Sequence, residues 1–188
     1  MALSANTPQV HMIGEIKGAT GFDVSRIFCK YEVRCGHTNW TLLGGKDSGE
    51  TYEEIRDEID DFAVWDHPID LHYKCEAIRG WPKIYVEVWQ ADSHGRYSIA
   101  GYGIGVIPFA PGQHRLSVKC WSPRPQGTIS QMASDLLGIR PVLKFKDLLF
   151  SSQERFGMHA ETTGSVEIDL GIILKDFHLH GVQLYTDK

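Results

Sequence analysis

What most constrains this chain is an alternation of apolar and polar residues with period two, repeated over most of its length. Val166, Ile168, Leu170, Ile172 and Leu174 alternate with Glu167, Asp169, Gly171, Ile173 and Lys175. Successive side chains of a strand point to opposite faces, so this spacing predicts a strand with one wet face. Ile84, Val86 and Val88 alternate in the same way with Tyr85, Glu87 and Trp89, as do Ile27, Cys29, Tyr31 and Val33 with Phe28, Lys30, Glu32 and Arg34. Further strands are expected at 9–17, 39–43, 62–65, 69–75, 97–107, 114–121 and 142–149. Turn chemistry separates them at Gly18 to Gly21, Gly44-Gly45, His67-Pro68, Gly80-Trp81-Pro82, Ser93-His94-Gly95 and Pro111-Gly112.

Two stretches depart from this period. Ile129, Met132, Ala133, Leu136 and Leu137 fall on one helical stripe between Thr128 as N-cap and Gly138 as stop, which predicts a short helix at 129–137. Residues 46–61 are rich in Asp and Glu and read as a solvated insertion loop or a short helix. Many short strands with regular turns and one small helix specify an all-β class, an antiparallel β-sandwich. A β-α-β alternation is missing, which argues against a doubly wound nucleotide fold. At 188 residues the chain is one domain long and supplies its own core.

Charge narrows the partners. Nineteen Lys and Arg against twenty-four Asp and Glu give a net charge of −5. Nucleic acid needs a basic face to release counterions, and none is expected here. Residues 97–114 carry no charged side chain, yet Gly101, Gly103, Gly105 and Gly112 with Pro108 and Pro111 make a spanning helix untenable, leaving a buried strand and a turn. Cys29, Cys35, Cys75 and Cys120 contain no C-x-x-C pair and read as free thiols. The first residues lack the basic and apolar regions of a secretory leader, so Asn39-Trp40-Thr41 reads as strand rather than as a glycosylation site.

The search for chemistry returns little. Gly101-Tyr102-Gly103-Ile104-Gly105 lacks the G-x-G-x-x-G spacing and no helix follows it. His178 with His180, and His67 with His72, offer two ligands each and no third at a signature spacing, so no metal is assigned. Neither a nucleophile elbow nor a paired nucleophile and base is legible. What remains is a set of aromatic residues beside turns, around Trp65, Trp81, Trp89, Tyr102 and Trp121. They either seal the ends of the sandwich or anchor a protein interface, where Trp and Tyr are over-represented. Tyr85, Glu87 and Trp89, on one face of one strand, form a face too apolar for plain solvent and are the candidate partner-binding residues.

WDHPIDLHY (65–73), GWPKIYVEVWQADSHGR (80–96), AGYGIGVIP (100–108) and GSVEIDLGIILKDFHLHGV (164–182) resemble the B9 domain. The resemblance runs over 10–182, leaving an N-terminal extension at 1–9 and a tail at 183–188, with the acidic insertion 46–61 inside. Trp65, His67, Pro68, Trp81, Pro82, Asp92, Arg96, Gly101, Tyr102 and Gly103 carry the motifs. The resemblance implies a C2-like β-sandwich without enzymatic activity or cofactor. It also implies a place in the cytoplasm at the ciliary basal body and transition zone, within the tectonic-like (Meckel syndrome) complex that supports ciliogenesis and the ciliary diffusion barrier. The implied partners are B9 domain-containing protein 1 and the Meckel syndrome type 1 protein, with tectonic and transmembrane subunits reached indirectly.

C2 relatives often bind calcium, which takes 6–8 oxygens, typically from several carboxylates. The loop after Trp89 offers Asp92 alone, with Arg96 four positions on, so the pair is expected to shape the loop instead. Two functions follow: a scaffold that binds sister sandwiches, or a peripheral phospholipid-binding module. Lys144, Lys146 and Phe109 are thin support for the second, so membrane contact is expected to be weak.

Overall fold

The three clearest alternations each become a strand, and the strands join into one curled sheet. The computed structural model describes residues 7–36, 38–56, 61–92, 94–123 and 160–180. Within these lie β1 (Gln9–Thr20), β2 (Arg26–Arg34), β3 (Trp40–Gly45), β4 (Ser48–Glu50), β5 (Glu54–Ile55), β6 (Ala63–Cys75), β7 (Lys83–Ala91), β8 (Tyr97–Val106), β9 (Gly112–Pro123) and β10 (Ala160–Lys175). A 3-10 turn at Phe177–His180 follows. The order is β3-β6-β1-β10-β9-β8-β7-β2-β4, with β5 also on β2, and every pairing is antiparallel.

The sheet folds over at one seam. β8 and β9 are joined only through Tyr102 with Trp121 and Gly103 with Cys120. On either side of that seam the two halves face each other across a single buried cluster. Met12, Ile16, Leu71 and Ile168 from one half meet Ile27, Cys29, Ile84 and Val86 from the other. Gly103 is the residue this seam requires. A Cβ there would lie 2.8–2.9 Å from side-chain atoms of Val118, Cys120 and Val86. The all-β sandwich read from the sequence is the observed architecture, and 97–114 is strand, turn and strand.

Aromatics close one end of the core. Trp81 packs edge-on against Trp40 (5.3 Å between centroids) and Phe109 (4.6 Å), and its indole N–H donates to the Ile107 carbonyl at 2.8 Å. Pro82 beside it is buried. Trp65 is 1% exposed and belongs to the same core. For these residues the sealing role is the one the packing displays.

The structure departs from the sequence reading at four places. Gly18 to Gly21, expected as a turn, continues β1 as far as Thr20, so the turn starts only at Gly21. His67-Pro68 is not a turn: β6 runs unbroken from Ala63 to Cys75. Asp66, at φ 42°, makes an irregularity there, and the β1 register slips between Ile16 and Gly18. Pro68 is tolerated because β3 ends opposite Leu71, so a missing N–H at 68 breaks no second ladder among the described residues. Gly44-Gly45 is the end of β3 rather than the turn itself. In the acidic stretch 46–61, expected as loop or helix, the described residues form β4 and β5 along β2. Arg56 ties this stretch down by donating to the carbonyls of Phe22, Val24 and Asp61. The helix expected at 129–137, the strand at 142–149 and the tail at 183–188 lie outside the described residues.

Candidate functional site

β7 is buried on both faces. Ile84, Val86 and Val88 enter the main core, while Tyr85 and Glu87, pointing the other way, are each only 2% exposed. A second apolar cluster sits on this outer side: Tyr85, Ile99 and Tyr102, with Trp89, Ile104 and Trp121 packed against it. Ile99 and Tyr102 share a face although three residues apart, because the β7–β8 register slips between Val88 and Trp89 and leaves Ala100 unpaired. Such a bulge inverts the parity of a strand. Tyr102 and Trp121 then meet at 5.8 Å across the seam.

Within this cluster the three candidate partner-binding residues touch one another. The Tyr85 hydroxyl donates to Glu87 Oε1 at 3.3 Å, and the Trp89 indole N–H donates to Glu87 Oε2 at 3.1 Å. A buried carboxylate needs such donors. Burial first, and then the Glu87 carboxylate, push the Tyr85 hydroxyl far above its ordinary range, which fixes it as a donor. Glu87 also lines a recess of about 350 Å³ with Tyr85, Lys30, Glu32 and Glu50. Tyr85 and Glu87 are therefore support, and Trp89, half-buried, is the member of the trio that reaches the surface.

At the surface Trp89 has company that the sequence reading did not single out. Phe28 lies opposite it on β2, with ring centroids 6.3 Å apart and planes at 17°. Tyr97 stands edge-on to Phe28 at 5.6 Å and is 56% exposed. Lys30 Nζ lies 5.7 Å from the Phe28 centroid and 5.3 Å from that of Trp89, within cation–π reach. The Tyr97 hydroxyl donates to Glu53 Oε2 at 3.0 Å, and Arg26 pairs with Glu53 at 2.6 Å. The signal for Phe28 and Lys30 lay in their parity against Ile27 and Cys29. Joining them to Trp89 takes the β2–β7 register.

The loop between β7 and β8 is closed by Asp92. Its carboxylate accepts from the backbone N–H of His94 (2.8 Å) and Arg96 (2.9 Å) and from Arg96 Nε (2.7 Å). These donors hold the Asp92 carboxyl down at about 2. Among the described residues no group of three or more His, Cys, Asp or Glu is placed to hold a metal ion. Burial pushes the thiols of Cys35 and Cys75 up to about 11 and that of Cys120 to about 12, and raises Cys29 well above its ordinary value. All four are unpaired and stay protonated at neutral pH, so none supplies a ready thiolate.

The fold and this face define a non-parallel, two-layered β-sandwich with a polarised outer surface: one side wet, one side aromatic. Residues 10–173 match the family described as B9-C2, ciliary basal body-associated B9 protein. B9 domain-containing protein 2 of Danio rerio is 42% identical over 176 residues, covering 93% of this chain and 98% of its own length. The human protein of that name is 39% identical over the same span and shares. B9 domain-containing protein 1 of Xenopus laevis is 24% identical over 92% of this chain and 88% of its own. The C2A domain of plant extended synaptotagmin 1 superimposes on 89% of this chain and 95% of its own with a TM-score of 0.47 and 10% identity. The chain belongs to the B9 domain family, whose members are ciliary basal body-associated.

Proposed function

We propose that this chain is a non-enzymatic scaffold subunit of the tectonic-like (Meckel syndrome) complex at the ciliary transition zone. It docks other B9 proteins, B9 domain-containing protein 1 and the Meckel syndrome type 1 protein, and through them joins the assembly that maintains the ciliary barrier. One observation carries the reading: Trp89, Phe28 and Tyr97 form a surface aromatic cluster in which Phe28 touches both other rings and Trp89 is fixed from beneath by Glu87. Rigid aromatic anchors lose little conformational entropy on binding and dominate interface energetics. The protonated thiols described above fit a role without covalent catalysis.

The test is co-purification with B9 domain-containing protein 1. Tyr97→Ala and Trp89→Ala should keep a cooperative melt and lose co-purification at least tenfold, whereas Arg115→Ala, on the other outer surface, should retain it. Equal retention by all three would refute the docking face. Calcium-dependent sedimentation of the isolated chain with anionic liposomes, with no complex formed, would favour a lipid-binding module instead.

A further inference from the structure

β3 is the last strand at its end of the sheet, and among the described residues only β6 pairs with it. The Glu76 N–H donates to the Asn39 carbonyl at 2.8 Å, and the register continues as Trp40 with Cys75, Thr41 with Lys74 and Leu42 with Tyr73. Antiparallel ladders alternate residue by residue. Asn39 and Thr41 therefore address β6, and the N–H and C=O groups of Trp40 and Leu42 face the other edge. No hydrogen bond to those four groups is formed elsewhere among the described residues. Such an edge is a template for a further strand.

A recess of about 430 Å³ opens beside the same edge, between β3 and the end of β2, where Trp40, Leu42, Tyr73 and Asp47 line it. Its size falls in the range of roughly 300–1,000 Å³ usual for ligand pockets. The Tyr73 residue is 4% exposed and its hydroxyl has no hydrogen-bond partner; the Cys35 thiol lies near it without meeting hydrogen-bond geometry. A buried hydroxyl left without a partner is destabilising, so a ligand that supplies one gains by it. Asp47 receives a long contact from the Ser48 hydroxyl (3.5 Å) and no Lys or Arg among the described residues. Arg34, which also lines the recess, is engaged with Glu32 at 2.7 Å.

We propose that β3 accepts an extended segment of a partner protein as an added strand and that an arginine of that segment fills the recess. Its guanidinium lies against the exposed rim of Trp40, donates to the Asp47 carboxylate and, as the Tyr73 hydroxyl (buried in the free chain) turns into the recess, donates to its oxygen. One side chain thus meets the aromatic wall, the unpaired anion and the orphaned hydroxyl together, a fit that the planar, five-donor guanidinium makes better than an ammonium. This surface lies apart from the aromatic face proposed above for B9 sisters.

The test is fluorescence anisotropy of the full chain with a labelled Thr-Val-Thr-Arg-Val-Thr-Val peptide. Asp47→Asn and Tyr73→Phe should each weaken binding several-fold to tenfold. A peptide N-methylated at alternate residues, or one with Glu in place of Arg, should lose binding. Asp169→Asn and Trp89→Ala should change nothing, the latter separating this proposal from the docking face. The proposal is overturned if the parent peptide fails to bind at millimolar concentration, if the N-methylated peptide binds equally, or if Asp169→Asn weakens binding as much as Asp47→Asn. It is also overturned if ultracentrifugation shows two copies paired through β3 that exclude the peptide.

Discussion

The two outer surfaces of this sandwich are written in the same alternating code and end in opposite environments. On β1, β10 and β9 the outward positions hold Glu15, Asp169, Glu167 and Arg115. They pair across solvent: Lys17 with Glu15 at 2.8 Å, Arg115 with Asp169 at 3.0 Å, and the Ser117 hydroxyl with Glu167 at 2.7 Å. On β7 and β8 the outward positions hold Tyr85, Glu87, Ile99 and Tyr102, all buried. Period two assigns a residue to a face; only the composition of that face says whether water covers it. A Glu among ladder charges is a solvated ion, whereas a Glu between Tyr and Trp is an acceptor that the structure must satisfy.

The contrast breaks or holds under substitution. The largest difference is expected between Tyr102→Ala and Arg115→Ala. Removing a buried aromatic ring costs about 3–5 kcal/mol, while the exposed Arg115 pair is screened by water and its loss should be barely measurable. Urea unfolding of the two variants measures both, and similar losses would erase the distinction. Next in size is Glu87→Ala against Glu167→Ala. The first removes the Glu87 acceptor from the buried Tyr85 hydroxyl and the half-buried Trp89 indole N–H, a loss on the order of 1–3 kcal/mol; the second, on the wet surface, should stay within about 0.5 kcal/mol.

Much of this was legible in the residues, and the exceptions have definite causes. The alternations at 27–34, 84–89 and 166–175 became β2, β7 and β10 because each face keeps one environment along its length. The B9 motifs placed Trp65, Trp81 and Pro82, which the packing shows in or against the core. Parity failed where a bulge intervened: strict alternation separates Ile99 from Tyr102, and the slip beside Val88 reunites them. His67-Pro68 looked like a turn because Pro lacks an N–H, yet that stretch of β6 has no β3 partner to need one. Phe28, Lys30 and Tyr97 were missed because their meeting with Trp89 depends on register between strands far apart in sequence. The pairs in residues 46–61 were hidden by acidity, which described the exposed side and not the backbone that lies along β2.

Smaller effects sharpen the picture. Burial lowers the His67 pKa, and the ring stands edge-on to Tyr31 at 5.4 Å. With its folded pKa depressed, the stability of this contact is complete above the ordinary 6.5 and declines as pH falls below that value, because the unfolded chain takes up the proton first. His67→Gln should remove that part of the acid slope in melts between pH 7 and pH 5. Smallest is the Asp92 loop. Its carboxyl, held at about 2, should remain ionised near pH 3, and the contribution of the Arg96 contact should disappear only as pH falls through about 2. Carboxyl NMR titration follows it directly, and a midpoint near 4 would disprove the contact.

The polarity of the two surfaces matters because one of them is proposed to dock B9 sisters. Hydrogen–deuterium exchange of the free chain and of its complex with B9 domain-containing protein 1 asks this most directly. Protection should concentrate on β2 around Phe28 and Lys30 and on the β7–β8 turn from Trp89 to Tyr97, leaving β1 and β10 unchanged. Protection confined to the charged surface of β1, β10 and β9 would contradict the account.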